Sequence, residues 1–214
     1  MRERLLQIYD RLYAAFGPQH WWPGDTPFEV VVGAVLTQNT SWRNVEHAIA
    51  NLKAAGRLSL AALLDLSHDE LAALIRPAGY FNVKARRLRS LLVYLHDHGD
   101  GDLEGYLAGD LATRRRELLA VHGLGPETVD SILLYAGGRP TFVCDAYTRR
   151  LLSRHGLCGA TAAYEEMRTL FMDHLPADAA LFNEFHALVV RTGYHHCKPT
   201  PRCDTCPLQP LLPA

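Results

Sequence analysis

A tight turn between two helical patterns is the feature that most constrains the fold of this chain. Residues 118–136, LLAVHGLGPETVDSILLYA, place apolar side chains at helical spacing on both sides of the Gly-Leu-Gly-Pro turn. Gly123 and Gly125 permit a sharp reversal, and Pro126 suits the first position of the next helix. Bare N–H groups at such a helix start favour a phosphate. The pattern predicts a helical hairpin over 118–137, although an ordinary αα-hairpin with a glycine turn has the same pattern.

Helical periodicity continues through the rest of the chain, and no alternating strand pattern persists, so the predicted fold class is all-α. Ser67 and Glu70 predict a capping box, and Thr161 is a predicted N-cap. Besides the opening segment and the hairpin, the predicted helices cover 27–37, 41–52, 59–66, 67–75, 83–96, 103–107, 145–155, 161–174 and 179–191.

Composition places the chain among globular proteins and limits its partners. Hydrophobic residues make up 48% of the 214 positions, and no apolar run approaches bilayer length or forms a signal-peptide core. We therefore expect a cytoplasmic, nucleoid-associated protein with no membrane partner. The net charge of −1 argues against an extended nucleic-acid surface, but a local basic face suffices for a short duplex contact. Basic clusters at 84–89, 114–116 and 149–154 predict phosphate contacts, with solvated helix faces as the alternative for each.

Three motifs together resemble the endonuclease III-like helix-hairpin-helix DNA glycosylases. They are Leu-Thr-Gln-Asn-Thr at 36–40, Gly-Tyr-Phe-Asn-Val-Lys-Ala at 79–85, and the hairpin followed by Asp145. The resemblance implies two helical lobes: a six-helix barrel over 27–139, and a second lobe formed by 1–26 and 140–214. It also implies a monomer that acts on double-stranded DNA with damaged bases.

Asp145 is the residue to which this resemblance assigns catalysis. Cleavage of an N-glycosidic bond produces an oxocarbenium-like sugar, which a nearby carboxylate stabilises or attacks through an activated water. An N-cap is the structural alternative for Asp145, because it directly precedes the predicted helix 145–155, and the two roles are compatible.

Glu127 determines which reaction type the resemblance implies. In relatives that also cut the backbone, the second hairpin helix carries a lysine eighteen residues before the catalytic aspartate, and its amine forms a Schiff base. That position is Glu127 here, and a carboxylate cannot form the imine. The pattern therefore favours a monofunctional glycosylase, with Glu127 either helping to polarise the site or serving as a first-turn acid favoured by the helix dipole.

The tryptophans of this chain are similar in placement to those of the 3-methyladenine DNA glycosylase subgroup. Trp21 and Trp22 precede the first barrel helix, and Trp42 follows the Gln-Asn-Thr element. An N3-alkylated purine is cationic and prefers aromatic faces, so we expect these residues to bind the substrate base, with core packing as the alternative.

The resemblance also implies residues that contact the DNA duplex. Gln38 and Tyr80 would fill the gap left by a flipped nucleotide, and packing between helices is the alternative for Tyr80. The resemblance further implies DNA contacts for Gly123, Gly125 and Arg149.

A cysteine cluster near residue 200 predicts a metal site. Cys197, Cys203 and Cys206 follow Cys-x5-Cys-x2-Cys, whereas the family loop that binds [4Fe–4S] is Cys-x6-Cys-x2-Cys-x5-Cys. Leu212 stands at the position of the fourth thiolate. The expectation is an iron–sulfur cluster with His196 or His195 as fourth ligand; zinc in a Cys3His site and a loop that has lost its metal are the alternatives.

We expect the protein to be a monofunctional DNA N-glycosylase of base excision repair that flips and excises damaged bases. N3-alkylated purines are the expected substrates. Two alternatives stay open on the sequence. One is a bifunctional endonuclease III-type glycosylase and AP lyase for oxidised pyrimidines. The other is a non-catalytic helix-hairpin-helix protein that only binds DNA, against which Asp145 argues because a binder needs no acid of this kind.

Overall fold

The computed structural model describes residues 1–99 and 101–213, and within these ranges it contains helices and no strand. The predicted all-α fold class is therefore confirmed. The α-helices are α1 (Arg2–Phe16), α2 (Pro27–Leu36), α3 (Trp42–Ala54), α4 (Leu60–Leu64), α5 (His68–Leu74), α6 (Phe81–His98), α7 (Leu103–Ala108), α8 (Leu111–Ala120), α9 (Pro126–Ser131), α10 (Ala146–Arg154), α11 (Tyr164–Met172) and α12 (Ala179–His195). Short 3-10 turns cover Arg76–Ala78, Cys203–Thr205 and Gln209–Leu211, and a π-helical turn, Ile132–Ala136, continues α9.

The chain divides into two compact units. The first unit consists of Met1–Trp22 and Pro140–Ala214, and the second unit consists of Pro23–Arg139. The first unit therefore contains α1 and α10–α12, and the second contains α2–α9. Each unit has a hydrophobic core of its own.

Helix α2 is the central element of the second unit. Thr26 caps it by accepting a hydrogen bond from the Glu29 N–H, and Pro27 occupies the first turn, as expected for a helix start. Every residue from Glu29 to Leu36 is buried, which is typical of a helix surrounded by other helices. Leucine and valine side chains of α3, α5, α6 and the hairpin helices complete this core. The predicted capping box of Ser67 and Glu70 is confirmed at the start of α5.

The first unit has an aromatic core. Phe142 and Phe171 stack with ring centroids 3.6 Å apart, and Phe182 and Phe185 meet the Phe142 ring edge-on. These rings lie where the segment entering α10 meets α11 and α12. The predicted cap at Thr161 is wrong: α11 begins at Tyr164, and its N-cap position is held by Ala163 without a side-chain cap.

Close packing of α10 on α12 depends on one glycine. A Cβ atom at Gly193 would lie 2.1 Å from Cδ1 of Tyr147, so a larger residue would push the two helices apart. Tyr147 lies in the first turn of α10, two residues after Asp145. The glycine therefore helps to fix the position of the Asp145 segment against α12.

Candidate active site

Asp145 begins α10 in an extended conformation and forms a capping box with Thr148. Its Oδ1 accepts hydrogen bonds from the Thr148 N–H at 2.8 Å and the Thr148 hydroxyl at 3.0 Å. The cap occupies Oδ1, and Oδ2 is the oxygen that points towards α12. The predicted N-cap role of Asp145 is confirmed, and it leaves one carboxylate oxygen outside the cap.

The sequence-based analysis missed His186, which lies beside this carboxylate. Nε2 of His186 is 3.8 Å from Oδ2 of Asp145, and only 6% of the imidazole side chain and 16% of the carboxylate side chain are exposed. Burial lowers the pKa of His186, while the charge of Asp145 acts in the opposite direction. No motif marks His186, because a histidine on the apolar face of a helix has the same pattern as a core residue.

The hairpin lies in the second unit and consists of α8, the turn at 121–125 and α9. Gly123 has φ +87°, and a Cβ there would approach Cγ of Arg87 to 2.2 Å. Both the left-handed backbone and the space available therefore require glycine. Gly125 is the N-cap of α9, and Pro126 fills its first position as predicted.

Gln38 connects the loop after α2 to this hairpin. Its Nε2 donates to the carbonyl of Gly123 at 3.2 Å and to Oγ1 of Thr128 at 3.0 Å. Nη1 of Arg87 donates to Oε1 of Gln38 at 2.5 Å. Gln38 is thus folded onto the hairpin in this structure, and insertion into a duplex would require it to exchange these partners.

An open pocket of about 450 Å³ is formed by the loop after α2, Arg87 and the hairpin. Glu127 is exposed in the first turn of α9 and contributes to the wall of this pocket. The other lining residues are Ala34, Thr37, Gln38, Asn39, Arg87, Gly123, Leu124, Gly125, Thr128 and Ser131. No lysine belongs to this lining.

Tyr80 stands at the start of α6 with its side chain 74% exposed and a left-handed backbone, φ +46°. This exposure excludes interhelical packing as its role.

Lys84 lies in the first turn of α6, and its ammonium donates to the carbonyls of Leu36 at 2.8 Å and Ala78 at 2.7 Å. Because these carbonyls precede the Gln38 and Tyr80 loops, the buried lysine joins the two loops at their base.

The tryptophans are divided between the two units. Trp21 and Trp22 are half-buried in the first unit and meet edge-to-face, with ring centroids 5.4 Å apart. Trp42 is the first residue of α3 in the second unit, half-buried and packed against that unit's core. Each ring therefore combines a packing contact with an exposed portion.

Most residues of the predicted basic clusters are engaged inside the protein, which corrects the expectation that all three clusters serve phosphate binding. Arg115 forms a bidentate ion pair with fully buried Asp130, at 2.9 and 3.0 Å. Arg89 donates to the carbonyls of Leu64 and Leu66. Arg154 donates to Sγ of Cys197 and the carbonyl of Lys198 in the cysteine loop, which consists of residues 197–212. Arg149, by contrast, is exposed on α10.

The cysteine loop surrounds a narrow, largely apolar cavity in the first unit. Cys197, Cys203, Cys206, His196 and Leu212 all line it. Three thiols and an imidazole are donor types that suit a Cys3His metal site. In residues 1–99 and 101–213, however, no three His, Cys, Asp or Glu side chains are arranged to hold a metal ion. Nη1 of Arg154 instead donates to Sγ of Cys197 at 3.2 Å.

Comparison with known proteins identifies the family. Residues 32–177 match the model of the HhH-GPD superfamily base excision DNA repair proteins. The chain belongs to this superfamily. A provisionally named DNA repair glycosylase of Methanocaldococcus jannaschii is 44% identical over 208 residues, which cover 97% of this chain and 94% of the relative.

Several solved structures are similar to this chain. An endonuclease III–DNA complex matches with a TM-score of 0.84 at 24% identity, covering 99% of this chain and 95% of that one, and so shares the fold. The 3-methyladenine DNA glycosylase MagIII of H. pylori, solved with 1,N6-ethenoadenine, matches with a TM-score of 0.77 at 27% identity, covering 89% and 95%.

The HhH-GPD assignment makes this chain a base excision repair DNA glycosylase, a hydrolase of N-glycosyl bonds that acts on DNA. Within the described residues, none of the helices has both the length and the apolar composition that crossing a membrane requires.

Proposed function

We propose that this glycosylase is monofunctional: it releases the damaged base and leaves the abasic strand intact. The observation that supports this most directly is Glu127, which occupies the hairpin position at which a Schiff-base lysine would stand and lines the pocket beside the turn. A carboxylate has no amine with which to displace the base.

The surroundings of the three lysines support the same conclusion. The lysines are Lys53, Lys84 and Lys198. Lys53 lies 2.7 Å from Asp25 and 2.8 Å from Glu29, and these carboxylates raise its pKa and keep it protonated. Lys84 is 1% exposed and hydrogen-bonded to two carbonyls. Lys198 follows Cys197 in the cysteine loop, with its ammonium 5.8 Å from the Tyr194 ring centroid.

In the proposed reaction Asp145 acts through Oδ2. As the N-glycosidic bond breaks, positive charge develops on the sugar, and a carboxylate oxygen held close to it lowers the energy of that state or takes a proton from the attacking water. The capping bonds hold Oδ1 in place before substrate binds and leave Oδ2 outside the cap. Glu127 would add negative charge on the hairpin side.

N3-alkylated purines are the proposed substrates. Such bases carry a positive charge, which favours contact with aromatic faces and makes the base a good leaving group without a strong general acid. The partly exposed rings of Trp21, Trp22 and Trp42 are the proposed contacts. The MagIII protein, named as a 3-methyladenine glycosylase, is consistent with this choice.

For DNA binding, we propose that Tyr80 and Gln38 enter the duplex where the damaged nucleotide leaves it, while Gly123, Gly125 and Arg149 contact the backbone. The exposure of Tyr80 and the bare turn at Gly125 support these roles. Extruding a nucleotide costs a few kcal/mol of stacking and pairing, which an inserted side chain partly replaces.

The cysteine loop is the proposed site of a [4Fe–4S] cluster, held by Cys197, Cys203, Cys206 and His196, with zinc as the second candidate. The residue types and their common cavity support this proposal, and the loop would have to close around the group. Protein purified anaerobically should show broad visible absorbance and bound iron, both lost in Cys203→Ser and retained in Cys158→Ser. His196→Ala should weaken retention more than His195→Ala. Stoichiometric zinc would replace the iron proposal, and a metal-free, colourless protein would refute both.

Product analysis tests monofunctionality. Duplexes carrying 3-methyladenine, 1,N6-ethenoadenine or thymine glycol should release free base from the alkylated purines, with strand breaks only after alkali. Borohydride should trap little protein on DNA. Glu127→Lys should create a small trappable fraction, limited by alignment of the new amine, whereas Glu104→Lys, an equal charge change at an exposed site of the same unit, should create none. Efficient trapping of the wild type would refute the proposal.

A further inference from the structure

The imidazole of His186 lies beside Asp145 and has no role in the proposed reaction. Oδ1 is held by Thr148, while Oδ2 faces Nε2 of His186 on α12 at 3.8 Å. His186 is 5% exposed, and the ring of Phe142 lies edge-on to it at 6.4 Å between centroids. Packing therefore holds the imidazole in one orientation beside the oxygen that carries the chemistry.

Helix geometry reinforces this placement. Gly193 follows His186 by seven residues, two helical turns, so both residues lie on the same face of α12. Gly193 is the residue whose missing Cβ lets Tyr147 approach α12. The same close approach that seats α10 on α12 thus brings the Asp145 segment against His186.

We propose that His186 is a positioning residue for Asp145: its neutral imidazole donates from Nε2 to Oδ2 and fixes the carboxylate for the developing sugar cation. The inference rests on the proposed role of Asp145. A separation of 3.8 Å exceeds a hydrogen bond, and such contacts commonly shorten when substrate binds. Burial favours the neutral ring, which donates a proton without adding a positive charge beside the sugar.

This arrangement divides the two carboxylate oxygens between two partners. The cap on Oδ1 fixes the position of the group along α10, and the imidazole fixes its rotation about the Cβ–Cγ bond. A hydrogen bond to Oδ2 leaves its other lone pair for the sugar or for water. Loss of the second contact would let the carboxylate rotate about its capped oxygen without removing its charge.

Single-turnover excision with His186→Leu and His186→Gln tests the proposal. Leucine fills the site but has no donor, and we expect the rate to fall about 10- to 100-fold, the range expected for a misaligned group. Glutamine returns an N–H near the position of Nε2 and should recover to within about threefold of the wild type. Phe182→Leu, in the core on the same helix, controls for lost stability and should keep the wild-type rate at a temperature where it stays folded.

Affinity for an abasic duplex separates a positioning role from general disruption, since it should stay within about twofold in both His186 variants. In an Asp145→Asn background His186→Leu should cause no further loss, because the residues act as one unit. Equal rates for His186→Leu and the wild type, or equal losses in the leucine and glutamine variants, would overturn the proposal. Full activity in Asp145→Asn alone would instead refute the proposed role of Asp145.

Discussion

The surroundings of Asp145 and the hairpin pocket use polar side chains in opposite ways. Asp145 is 16% exposed, one of its oxygens is capped and the other faces a buried imidazole, so the group is restrained from two directions. In the wall of the hairpin pocket Glu127 is exposed and Gln38 is hydrogen-bonded to the hairpin, and Tyr80 is exposed at the start of α6 in the same unit. The first arrangement suits a fixed chemical group, and the second suits a surface that meets a large partner.

This contrast predicts separate kinetic signatures for the two regions. Changes near Asp145 should lower the rate of the chemical step and leave DNA affinity nearly unchanged. Changes around the hairpin and the Tyr80 loop should alter binding and nucleotide extrusion. A variant near Asp145 that lowers only DNA affinity, or a hairpin variant that lowers only the rate of the chemical step, would contradict this comparison.

Asp145→Asn should have the largest effect. The amide keeps the shape and the capping acceptor but loses the charge, so single-turnover excision should fall about 100-fold or more. Binding to an abasic duplex, measured by titration, should change by less than about twofold because the backbone contacts are untouched.

Asp178→Asn is the matched control for Asp145→Asn. Asp178 is the N-cap of α12 in the same unit, where its Oδ1 accepts from the N–H groups of Ala180 and Leu181. Asparagine caps helices about as well as aspartate, so its excision rate should match the wild type. More than a tenth of wild-type activity in Asp145→Asn would count strongly against the assignment.

Tyr80→Ala should have an intermediate effect that depends on the substrate. Removing the exposed ring takes away the group proposed to fill the duplex, and excision of a correctly paired damaged base should fall about 10-fold. A mismatched damaged base is cheaper to extrude, so its excision should fall less. Equal losses on both duplexes would contradict the wedge role, and Tyr194→Ala, another exposed tyrosine, is the control with no expected loss.

The helices and the caps made by neighbouring residues could be predicted from the sequence because their physics is local. The spacing of apolar residues predicted α2, and Ser67 with Glu70 predicted the start of α5. The hairpin turn was predictable because its left-handed backbone and close contact with Arg87 require a glycine at position 123, and glycine is visible in the sequence. The N-cap role of Asp145 was predictable because an N-cap and its helix adjoin in the chain.

Contacts between distant segments could not be predicted in this way. His186 and Asp145 are 41 positions apart in the sequence, and no periodicity of the sequence predicts their contact. The arginine clusters predicted a phosphate surface, yet Arg115 is paired with Asp130 and Arg154 donates to the cysteine loop. Burial and the planar, forked arrangement of guanidinium donors determine these partners, and neither can be read from the spacing of arginines in the sequence. Thr161 failed as a cap because the helix begins three residues later, at Tyr164.

Lys84 provides a test of the unit that contains the hairpin in which stability is measured, and it has the smallest expected effect on activity. Burial lowers its pKa to about 8, and the charge of Arg87 acts in the same direction. In the unfolded chain the pKa is about 10.4, so between these values the unfolded state binds more protons. Stability from this group should therefore rise with pH from about 8 to 10.4. Each unit of this pKa difference corresponds to about 1.4 kcal/mol, so we expect a gain of about 3 kcal/mol over that pH range.

Denaturant unfolding at a series of pH values, compared between the wild type and Lys84→Met, isolates this contribution, since other titrating groups cancel in the difference. Lys53→Met is the matched control of opposite sign. The pKa of Lys53 is raised by Asp25 and Glu29, so its contribution is present below about pH 10.4 and is lost above it. If the Lys84 difference stays flat with pH, the lysine is not held as a buried cation between the two loops. If Lys84→Met also lowers affinity for damaged duplex while single-turnover excision at saturation is retained, the lysine supports the surface that meets DNA and not the chemistry at Asp145.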